Sequence, residues 1–240
     1  MAAQTLKING ELVSARAGET ILEAARDAGI AIPTLCQLNG LTDVGACRMC
    51  MVEVAGARRP LAACTTRVTE GMVVQTETPK LQTYRRGVLE LLFSERSHVC
   101  AVCVANGNCE LQDLAIQLGM THVSYEYLAP LCSVDISHAR FGIDHNRCIL
   151  CTRCVRACDE VEGVHTWDIA GRGTNSRIIS DLGGPWGEAA SCTSCGKCLD
   201  ACPTGAIFPI GSSVAGRQRK PDRIAAIVAA RRNRAEFENG

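Results

Sequence analysis

The sequence predicts an α+β fold in which short strands and helices are built around groups of cysteine residues. Cysteine is frequent, with 16 in 240 residues, whereas aromatic residues make up only 4%. The N-terminal part adds a clear hairpin signal followed by a clear helix signal. We expect three folded segments, at 1–79, 80–135 and 136–212, and a basic C-terminal tail or docking helix at 213–240.

The overall composition excludes several classes of protein. The 25 basic residues balance the 25 acidic ones, so the basic surface of a nucleic-acid-binding protein is not expected. The sequence has no apolar run of about 18 residues, and its start, MAAQTLKING, lacks the apolar core of a secretory signal, so no membrane insertion or secretion is predicted. Thiols stay reduced in the cytoplasm, where grouped cysteines indicate metal ligands rather than disulfides. We therefore expect a cytoplasmic metalloprotein.

The first 80 residues show the order of elements of a small mixed sheet. The stretch TLKINGELVSA has apolar residues on both sides of Asn9-Gly10, which is a strong hairpin signal. Thr20 then opens the amphipathic stretch ILEAARDAG, which Gly29 ends. The strand-like MVEVA and VVQTE (73–77) follow and are able to close the sheet. This order predicts a β-grasp ferredoxin-like segment.

The first cysteine group lies within that segment and predicts a [2Fe–2S] cluster. Cys36, Cys47, Cys50 and Cys64 have the spacing C-x10-C-x2-C-x13-C. The long first gap excludes the plant-type C-x4-C-x2-C pattern, although the central CxxC is kept. A zinc ribbon is the alternative, but it would normally show two close pairs, and this group has only one.

The second group offers only three thiols, those of Cys100, Cys103 and Cys109. A [4Fe–4S] cluster needs a fourth ligand, for which His98, Cys132 and water are candidates, and a three-iron cluster would need none. Imidazole suits iron, and His98 lies on the same loop, whereas Cys132 is 23 residues beyond the group. We predict that His98 completes the site.

Two helical stretches flank the second group, and packing alone is enough to explain their apolar residues. The spacing predicts a first helix with the stripe Leu81, Tyr84, Val88, Leu91 and Leu92, and a second one with Leu111, Leu114 and Leu118 turned inward.

The last two groups carry the strongest signal, because each has the spacing C-x2-C-x2-C-x3-C. In such runs three cysteines on a tight loop bind one cubane cluster, and the fourth, expected here to start a helix, reaches the cluster of the other run. We assign one [4Fe–4S] cluster to Cys148, Cys151, Cys154 and Cys202, and a second one to Cys192, Cys195, Cys198 and Cys158. Zinc fits three closely spaced cysteines poorly. Asp159, rather than proline, follows Cys158.

The long insert between these two runs predicts a hairpin. Its strands would be HTWDI and RIIS, with Gly183-Gly184-Pro185 as the return loop, and Trp167 and Trp186 are interpreted as packing residues. The insert is either a docking surface or a simple elaboration.

Cations stand inside the ligand loops, where they would offset the negative charge of thiolate-bound clusters; solvated surface cations are the equally simple alternative. They are Arg48, Arg147, Arg153, Arg156 and Lys197.

The C-terminal stretch predicts a helix. Pro221 and Asp222 start it, and Ile224, Ile227 and Val228 share one face. We expect a docking element rather than part of a cluster domain, with a frayed tail as the alternative.

In the order of these groups the chain resembles the iron–sulfur diaphorase subunit of bidirectional NAD-reducing nickel–iron hydrogenases. The resemblance covers residues 3–212 and rests on GACRMCMVEV, HVCAVCVANGNCELQDLA, FGIDHNRCILCTRCVRACDEVEG, TWDIAGRGTNSRI and SCTSCGKCLDACPTGAI. The chain is similar, more distantly, to the N-terminal segment of the large iron–sulfur subunit of respiratory complex I and to accessory domains of iron-only hydrogenases. The complex I relatives carry their histidine four residues before the first cysteine of the second group, where this chain has Arg96.

The resemblance implies an electron relay with one [2Fe–2S] and three [4Fe–4S] clusters. It implies a flavin- and NAD-binding diaphorase subunit as one partner, and a hydrogenase small subunit leading to a nickel–iron large subunit as the other. The sequence contains neither a G-x-G-x-x-G nor a G-x-x-x-x-G-K-[ST] motif, so no nucleotide, flavin or catalytic residue is assigned to this chain. The alternative is the equivalent subunit of an NAD-dependent formate dehydrogenase or a complex I-like assembly. The complex I relatives continue into a molybdopterin-oxidoreductase-like domain, and because this chain stops we expect the hydrogenase type. A structural protein without redox function is a third class.

Overall fold

The computed structural model describes residues 3–128, 130 and 132–238. Its N-terminal strands are β1 (Gln4–Ile8), β2 (Glu11–Ala15), β3 (Met51–Val54), β4 (Leu61–Ala62) and β5 (Met72–Gln75). They form a sheet in the order β2-β1-β5-β3-β4, in which β1 and β2 are antiparallel and β1 and β5 are parallel. Asn9 and Gly10 both have positive φ, as a two-residue hairpin turn requires. The predicted mixed sheet is confirmed.

The first helix, α1 (Ile21–Asp27), covers one face of this sheet. Thr20 forms a capping box with Glu23, because the Thr20 Oγ1 accepts a hydrogen bond from the Glu23 N–H and the Glu23 carboxylate accepts one from the Thr20 N–H. Ile21 and Leu22 are buried in one core with the strand residues. Hairpin, helix and returning strands together give the predicted ferredoxin-like N-terminal fold.

The middle segment contains α2 (Pro79–Glu95) and α3 (Glu110–Gln117). Both helices are confirmed, and Leu111 and Leu114 of α3 are buried as predicted. The stripe predicted for α2 is partly wrong, because Tyr84 is 40% and Leu91 is 51% exposed.

Arg85 explains why the buried face of α2 differs from the predicted apolar stripe. The buried side chains of α2 include Leu81, Arg85, Leu89 and Phe93, which are four residues apart. The Arg85 guanidinium donates hydrogen bonds to the carbonyl oxygens of Met49, Met51 and Thr76. Its burial is therefore compensated by carbonyl groups of the N-terminal segment, which an apolar pattern does not reveal.

The C-terminal segment is built on β6 (Val134–Asp135), β7 (Phe141–Asp144) and β10 (Ile207–Pro209), with the helices α4 (Arg153–Arg156) and α5 (Lys197–Ala201). These strands pair antiparallel in the order β10-β7-β6. The prediction that the fourth cysteine of each run starts a helix is wrong. Cys158 lies in the wide helical turn Ala157–Glu162 that follows α4, and Cys202 is the C-cap of α5. Each helix starts just before the third cysteine of its run.

The insert forms the predicted hairpin from β8 (Trp167–Ala170) and β9 (Arg177–Ser180). Its turn is formed by residues 171–176, and Gly183-Gly184-Pro185 form the return loop after the second strand, as predicted. Those residues leave β9 and lead to Trp186. The rings of Trp167 and Trp186 pack edge to face with 4.6 Å between their centroids.

The C-terminal stretch forms the helix α6 (Asp222–Glu238), as predicted. Ile224 is buried against Leu41, Val161 and Ala201, and Ile227 and Val228 pack beside it. The expectation of a docking element outside the cluster domains is therefore wrong for this apolar face, which packs on the chain's own N-terminal and C-terminal segments. None of the helices in the described part of the chain has the length and hydropathy needed to cross a membrane.

Candidate metal centres

The candidate ligands fall into four sets, named here by their first residue. They are the Cys36 set (Cys36, Cys47, Cys50, Cys64), the His98 set (His98, Cys100, Cys103, Cys109), the Cys148 set (Cys148, Cys151, Cys154, Cys202) and the Cys192 set (Cys192, Cys195, Cys198, Cys158). Among the described residues, no three or more His, Cys, Asp or Glu side chains are close enough together to hold one metal ion. The members of each set are nevertheless neighbours.

The Cys36 set is arranged as two close pairs. The Cys47 N–H donates a hydrogen bond of 3.4 Å to the Cys36 Sγ, and the sulfur atoms of Cys50 and Cys64 lie 3.4 Å apart. Three of the four cysteines are almost fully buried, and Cys47 is partly exposed. Two thiol pairs in one buried place match a donor set for two iron atoms.

Hydrogen bonds within these pairs favour the thiolate at one cysteine of each pair. The thiol of Cys47 lowers the pKa of Cys36 to about 5, and the thiol of Cys64 lowers the pKa of Cys50 to about 7, although burial opposes both shifts. The partner thiols, Cys47 and Cys64, have raised pKa values because each interacts with a neighbouring cysteine that ionises first, and because each is itself buried.

The His98 set lines one cavity between α2 and α3, together with Phe93 and Leu111. The His98 ring packs edge to face on Phe93 with 5.3 Å between the centroids. Its Nε2 is buried and, among the described residues, has no hydrogen-bond partner. Burial lowers the pKa of His98 to about 4, so the ring is neutral at physiological pH. A neutral imidazole with an unpartnered nitrogen in a cavity lined by three cysteines has the chemistry of a metal ligand.

Cys132, the competing ligand, does not line that cavity in the described structure. The Arg96 Nη1 lies 2.5 Å from the Cys132 Sγ, and the backbone N–H of Cys132 donates a hydrogen bond to the Asn146 Oδ1. Arg96 also donates a bond to the Ser176 carbonyl of the insert. Cys132 thus belongs to a contact between the middle segment and the insert.

The Cys148 set lines a second cavity, whose other walls are mainly isoleucine side chains, including Ile143, Ile178 and Ile207. Burial raises the pKa of Cys148 and of Cys151 to about 12. Thiols that are this hard to ionise stay protonated without a partner, so metal binding would have to displace their protons. Cys202 enters this cavity from the other run, as the assignment across the two runs requires.

The Cys192 set lines a third cavity with Phe141, Trp167 and Trp186. The Trp186 Nε1–H donates a hydrogen bond of 3.3 Å to the Cys192 Sγ. Trp186 is thus more than the packing residue expected from the sequence, because its polar atom faces a candidate ligand. The pattern of the sequence carries no signal for this contact.

The loops of the two runs share a left-handed backbone pattern. Leu150 and Ser194 hold positive φ after the first cysteine of each run, and Thr152 and Gly196 hold it after the second. Left-handed φ costs a non-glycine residue about 1–2 kcal/mol. Such strain at matching positions is typical of functional loops. Here the left-handed residues turn each loop around its cavity. The Leu150 N–H donates a hydrogen bond of 3.4 Å to the Cys148 Sγ.

One short turn lies between two of the cavities. Thr204 lines both the His98 and the Cys148 cavities, and its hydroxyl donates a hydrogen bond to the Arg147 carbonyl. A Cβ added to Gly205 would lie 2.6 Å from the Cys103 Sγ. The two sites are therefore separated by little more than this turn, which the sequence analysis did not select.

Most of the cations in the ligand loops are buried rather than solvated. Arg153 and Arg156 are 2% and 7% exposed, Lys197 is buried beside Glu162, and Arg147 pairs with Asp144. Arg48 is the exception because it is exposed. The surface alternative holds for Arg48. Of the other four cations, Arg147, Arg153 and Lys197 pair with carboxylates, which leaves Arg156 as the one in these loops whose described hydrogen bonds go to neutral acceptors.

Models of known families match three parts of the chain. A 2Fe-2S iron-sulfur cluster binding domain matches residues 2–79, and an NADH-ubiquinone oxidoreductase-G iron-sulfur binding region matches residues 85–124. The ferredoxin-like domain of NADH-quinone oxidoreductase subunit 3 matches residues 140–208. One 2Fe-2S domain followed by further iron–sulfur regions agrees with the predicted fold class.

Individual relatives point in the same direction. The chain is 36% identical to the NADPH-Fe(3+) oxidoreductase subunit alpha of Geobacter sulfurreducens over 85% of its length, but it spans only 24% of that relative. It is 35% identical to the NAD-reducing hydrogenase HoxS subunit gamma of Cupriavidus necator, covering 73% of this chain and 75% of the relative. A chain in the crystal structure of NAD+-reducing [NiFe]-hydrogenase in the H2-reduced state superimposes with a TM-score of 0.83 and 35% identity, covering 92% of this chain and 95% of that one.

Proposed function

Because the chain belongs to the family of iron–sulfur subunits that includes the gamma subunit of the NAD-reducing hydrogenase HoxS, we propose that it relays electrons within such a complex. The single observation that carries the proposal is the placement of four candidate ligand sets within one folded chain, where the cavities of the His98 and Cys148 sets share Thr204 as a wall. A row of nearby redox sites is what a relay needs.

We assign a [2Fe–2S] cluster to the Cys36 set and a [4Fe–4S] cluster to each of the other three sets. Each cluster, when bound, supplies a site that takes up and releases one electron at a time. Support comes from the donor chemistry: the thiol pairs of the Cys36 set, the unpartnered Nε2 of His98, and the thiols of the Cys148 and Cys192 sets that face shared cavities.

The other residues of the chain tune and shield these sites. Isoleucine side chains around the Cys148 set and the two tryptophans around the Cys192 set keep water away. The Trp186 N–H and the Leu150 N–H donate hydrogen bonds to candidate ligand sulfurs, which stabilises negative charge on them. Such bonds, together with burial, set the reduction potential of an iron–sulfur site.

We infer a flavin- and NAD-binding diaphorase subunit on one side of the relay and a hydrogenase small subunit, leading to a nickel–iron large subunit, on the other. The reaction of the complex would then be reversible hydrogen oxidation coupled to NAD(P)+ reduction, in the cytoplasm. The relative that is matched over 75% of its own length is a hydrogenase subunit, which supports this choice over a formate dehydrogenase or complex I-like assembly.

Metal analysis of the anaerobically purified complex tests the proposal. We expect about 14 iron atoms with matching sulfide in this chain, from one two-iron and three four-iron clusters, and electron paramagnetic resonance signals of both cluster types after dithionite reduction. Nickel in the co-purified partner would support the hydrogenase. Stoichiometric zinc, or about half the expected iron, would contradict the relay; a flavin partner without nickel would contradict only the hydrogenase assignment.

A further inference from the structure

Arg156 touches two different ligand sets with one side chain. It lies on α4, between Cys154 and Cys158 in the sequence, and is 7% exposed. Its Nη2 donates a hydrogen bond of 2.6 Å to the carbonyl oxygen of Cys36 and one of 3.1 Å to the carbonyl oxygen of Cys151. Cys36 and Cys151 belong to different sets, in different segments, 115 positions apart in the sequence.

The remaining nitrogens of the guanidinium hold the same junction. The Nη1 donates to the carbonyl oxygen of Thr42, and the Nε donates to the Thr152 hydroxyl. All three guanidinium nitrogens are therefore used, two of them on the Cys36 loop (36–42). A planar fork with fixed donor directions is suited to this task, whereas the single ammonium of a lysine is not.

The position of the charge is as important as the hydrogen bonds. In a low-dielectric interior, a fixed cation acts on a nearby redox site much more strongly than it does at a surface. An added electron makes a thiolate-bound cluster more negative, so a buried cation stabilises the reduced form. Arg153 is also buried, but its charge is balanced by the Glu110 carboxylate at 2.7 Å. The hydrogen bonds of Arg156 go to neutral acceptors, so its charge is not balanced by a direct ion pair in the described residues, although the Asp43 carboxylate acts on it through space.

We propose that Arg156 is a positioning residue that holds the Cys36 loop against the Cys148 set and raises the reduction potentials of the clusters on both sides of the junction. This inference rests on the proposed cluster ligation. It predicts that the [2Fe–2S] cluster and the [4Fe–4S] cluster of the Cys148 set are tuned together by one side chain, while the His98 set, which Arg156 does not contact, keeps its own potential.

Arg156→Met and Arg156→Lys, made in the full chain and purified with its partner subunits, test the inference. Iron content and the midpoint potential of each cluster are measured by redox titration monitored by electron paramagnetic resonance. In Arg156→Met we expect full iron and a fall in both potentials at the junction. Arg156→Lys keeps the charge, so its potentials should shift less. Arg48→Met is the matched control, because it removes a cation from the loop between Cys47 and Cys50 that is exposed and screened by solvent.

The outcomes separate this inference from the proposed function. An unaltered chain without the two cluster signals contradicts the ligation and the inference with it. If the unaltered chain shows all cluster signals but the two potentials are unchanged in Arg156→Met, the inference about Arg156 is overturned and the proposed function is not. Loss of iron in both Arg156 variants also overturns it, because the residue would then serve assembly rather than tuning. So does an equal shift in Arg48→Met, because any nearby charge would then suffice.

Discussion

His98 and Cys132 illustrate how the surroundings of a single side chain distinguish two candidate ligands. His98 has a buried, unpartnered Nε2 in a cavity with three cysteines, whereas the sulfur of Cys132 lies against Arg96. We therefore expect His98→Cys to retain a four-iron cluster with a lower potential, because a charged thiolate stabilises the oxidised state more than a neutral imidazole does. Redox titration of that cluster measures the change. Cys132→Ser should leave its spectrum unaltered; a cluster lost in Cys132→Ser but kept in His98→Ala would show the assignment to be wrong.

Gly205 is a residue whose missing side chain matters. A Cβ there would come within 2.6 Å of the Cys103 Sγ and 3.2 Å of the Ala105 Cβ. We expect Gly205→Ala to displace Cys103 and to lose about four of the roughly 14 iron atoms, those of the His98 set. Iron analysis and the spectrum of that cluster check this. Gly184→Ala is the control, because that glycine, like Gly205, has no positive φ, and it faces open space; equal iron loss in both variants would contradict the steric explanation.

Asp43 makes stability depend on pH. Burial, followed by the nearby Glu23, raises its pKa from 3.8 to about 6, and its Oδ1 has no partner among the described residues. Because the folded state binds the proton more tightly, this group contributes stability that is fully present below pH 3.8 and is lost as the pH rises through about 6. Asp43→Asn should therefore stabilise the chain at pH 8 by about 1 kcal/mol, a value reduced for its partial solvent exposure.

Urea unfolding at pH 5.5 and pH 8 measures this effect. The gain in Asp43→Asn should be larger at pH 8 than at pH 5.5. The exposed Glu11→Gln variant should show no comparable gain, and a gain in Asp43→Asn that is the same at both values would contradict the role of the carboxylate.

At the scale of single elements, α6 is a predicted helix whose role is set by its packing against the rest of the chain. Ile224 is fully buried against residues of both cysteine-rich ends of the chain, and a Cβ on Gly40 would lie 3.1 Å from the Ala225 Cα. The first turns of α6 are therefore part of the folded body. Deletion of residues 221–240 should lower stability as well as any association with partners.

The substitution Ile224→Ala measures how much the packing of α6 contributes to the free energy of unfolding. Removing this buried side chain should cost about 2–5 kcal/mol, measured as a lower midpoint of denaturant unfolding. Val214→Ala removes apolar atoms from a side chain that is 52% exposed and should cost under about 0.5 kcal/mol. If the two variants unfold alike, α6 is not packed as described.

At the scale of the whole molecule, Glu110 ties several segments into one unit. Its carboxylate on α3 accepts two hydrogen bonds from Arg153 of α4 and lies 2.8 Å from the Arg219 Nη1 near the C-terminus. Arg153 also donates to the Gln37 carbonyl of the Cys36 loop. Burial alone would raise the pKa of Glu110, but these cations hold it below its usual range. The segments therefore should not unfold separately.

Glu110→Ala would leave Arg153 buried without its counter-charge. We expect the free energy of unfolding to fall by about 3 kcal/mol, at the lower end for a broken buried pair. The absorbance of all clusters should be lost in one unfolding transition. Asp113→Ala removes an exposed carboxylate from the same helix and should cost well under about 1 kcal/mol. Separate bleaching of the [2Fe–2S] signal in the unaltered chain would contradict a single cooperative unit.

The sequence by itself determined the features that depend on neighbouring residues. The Asn9-Gly10 turn, the Thr20 capping box and the hairpin of the insert follow from dihedral preferences and hydrogen bonds within a few residues. The grouping of the cysteines is equally local, because a CxxC spacing already places two thiols on one loop.

Only the tertiary structure decided what depends on segments that meet from far apart. The Trp186 contact with Cys192, the space that Gly205 leaves for Cys103 and the burial of Arg85 under three carbonyls lack a local pattern. Arg156 lies 120 positions from the Cys36 carbonyl that it binds. The physical reason is that the burial of a charge and the satisfaction of its hydrogen bonds depend on which backbone groups surround it after folding. A sequence pattern gives the charge of Arg156 but not those surroundings.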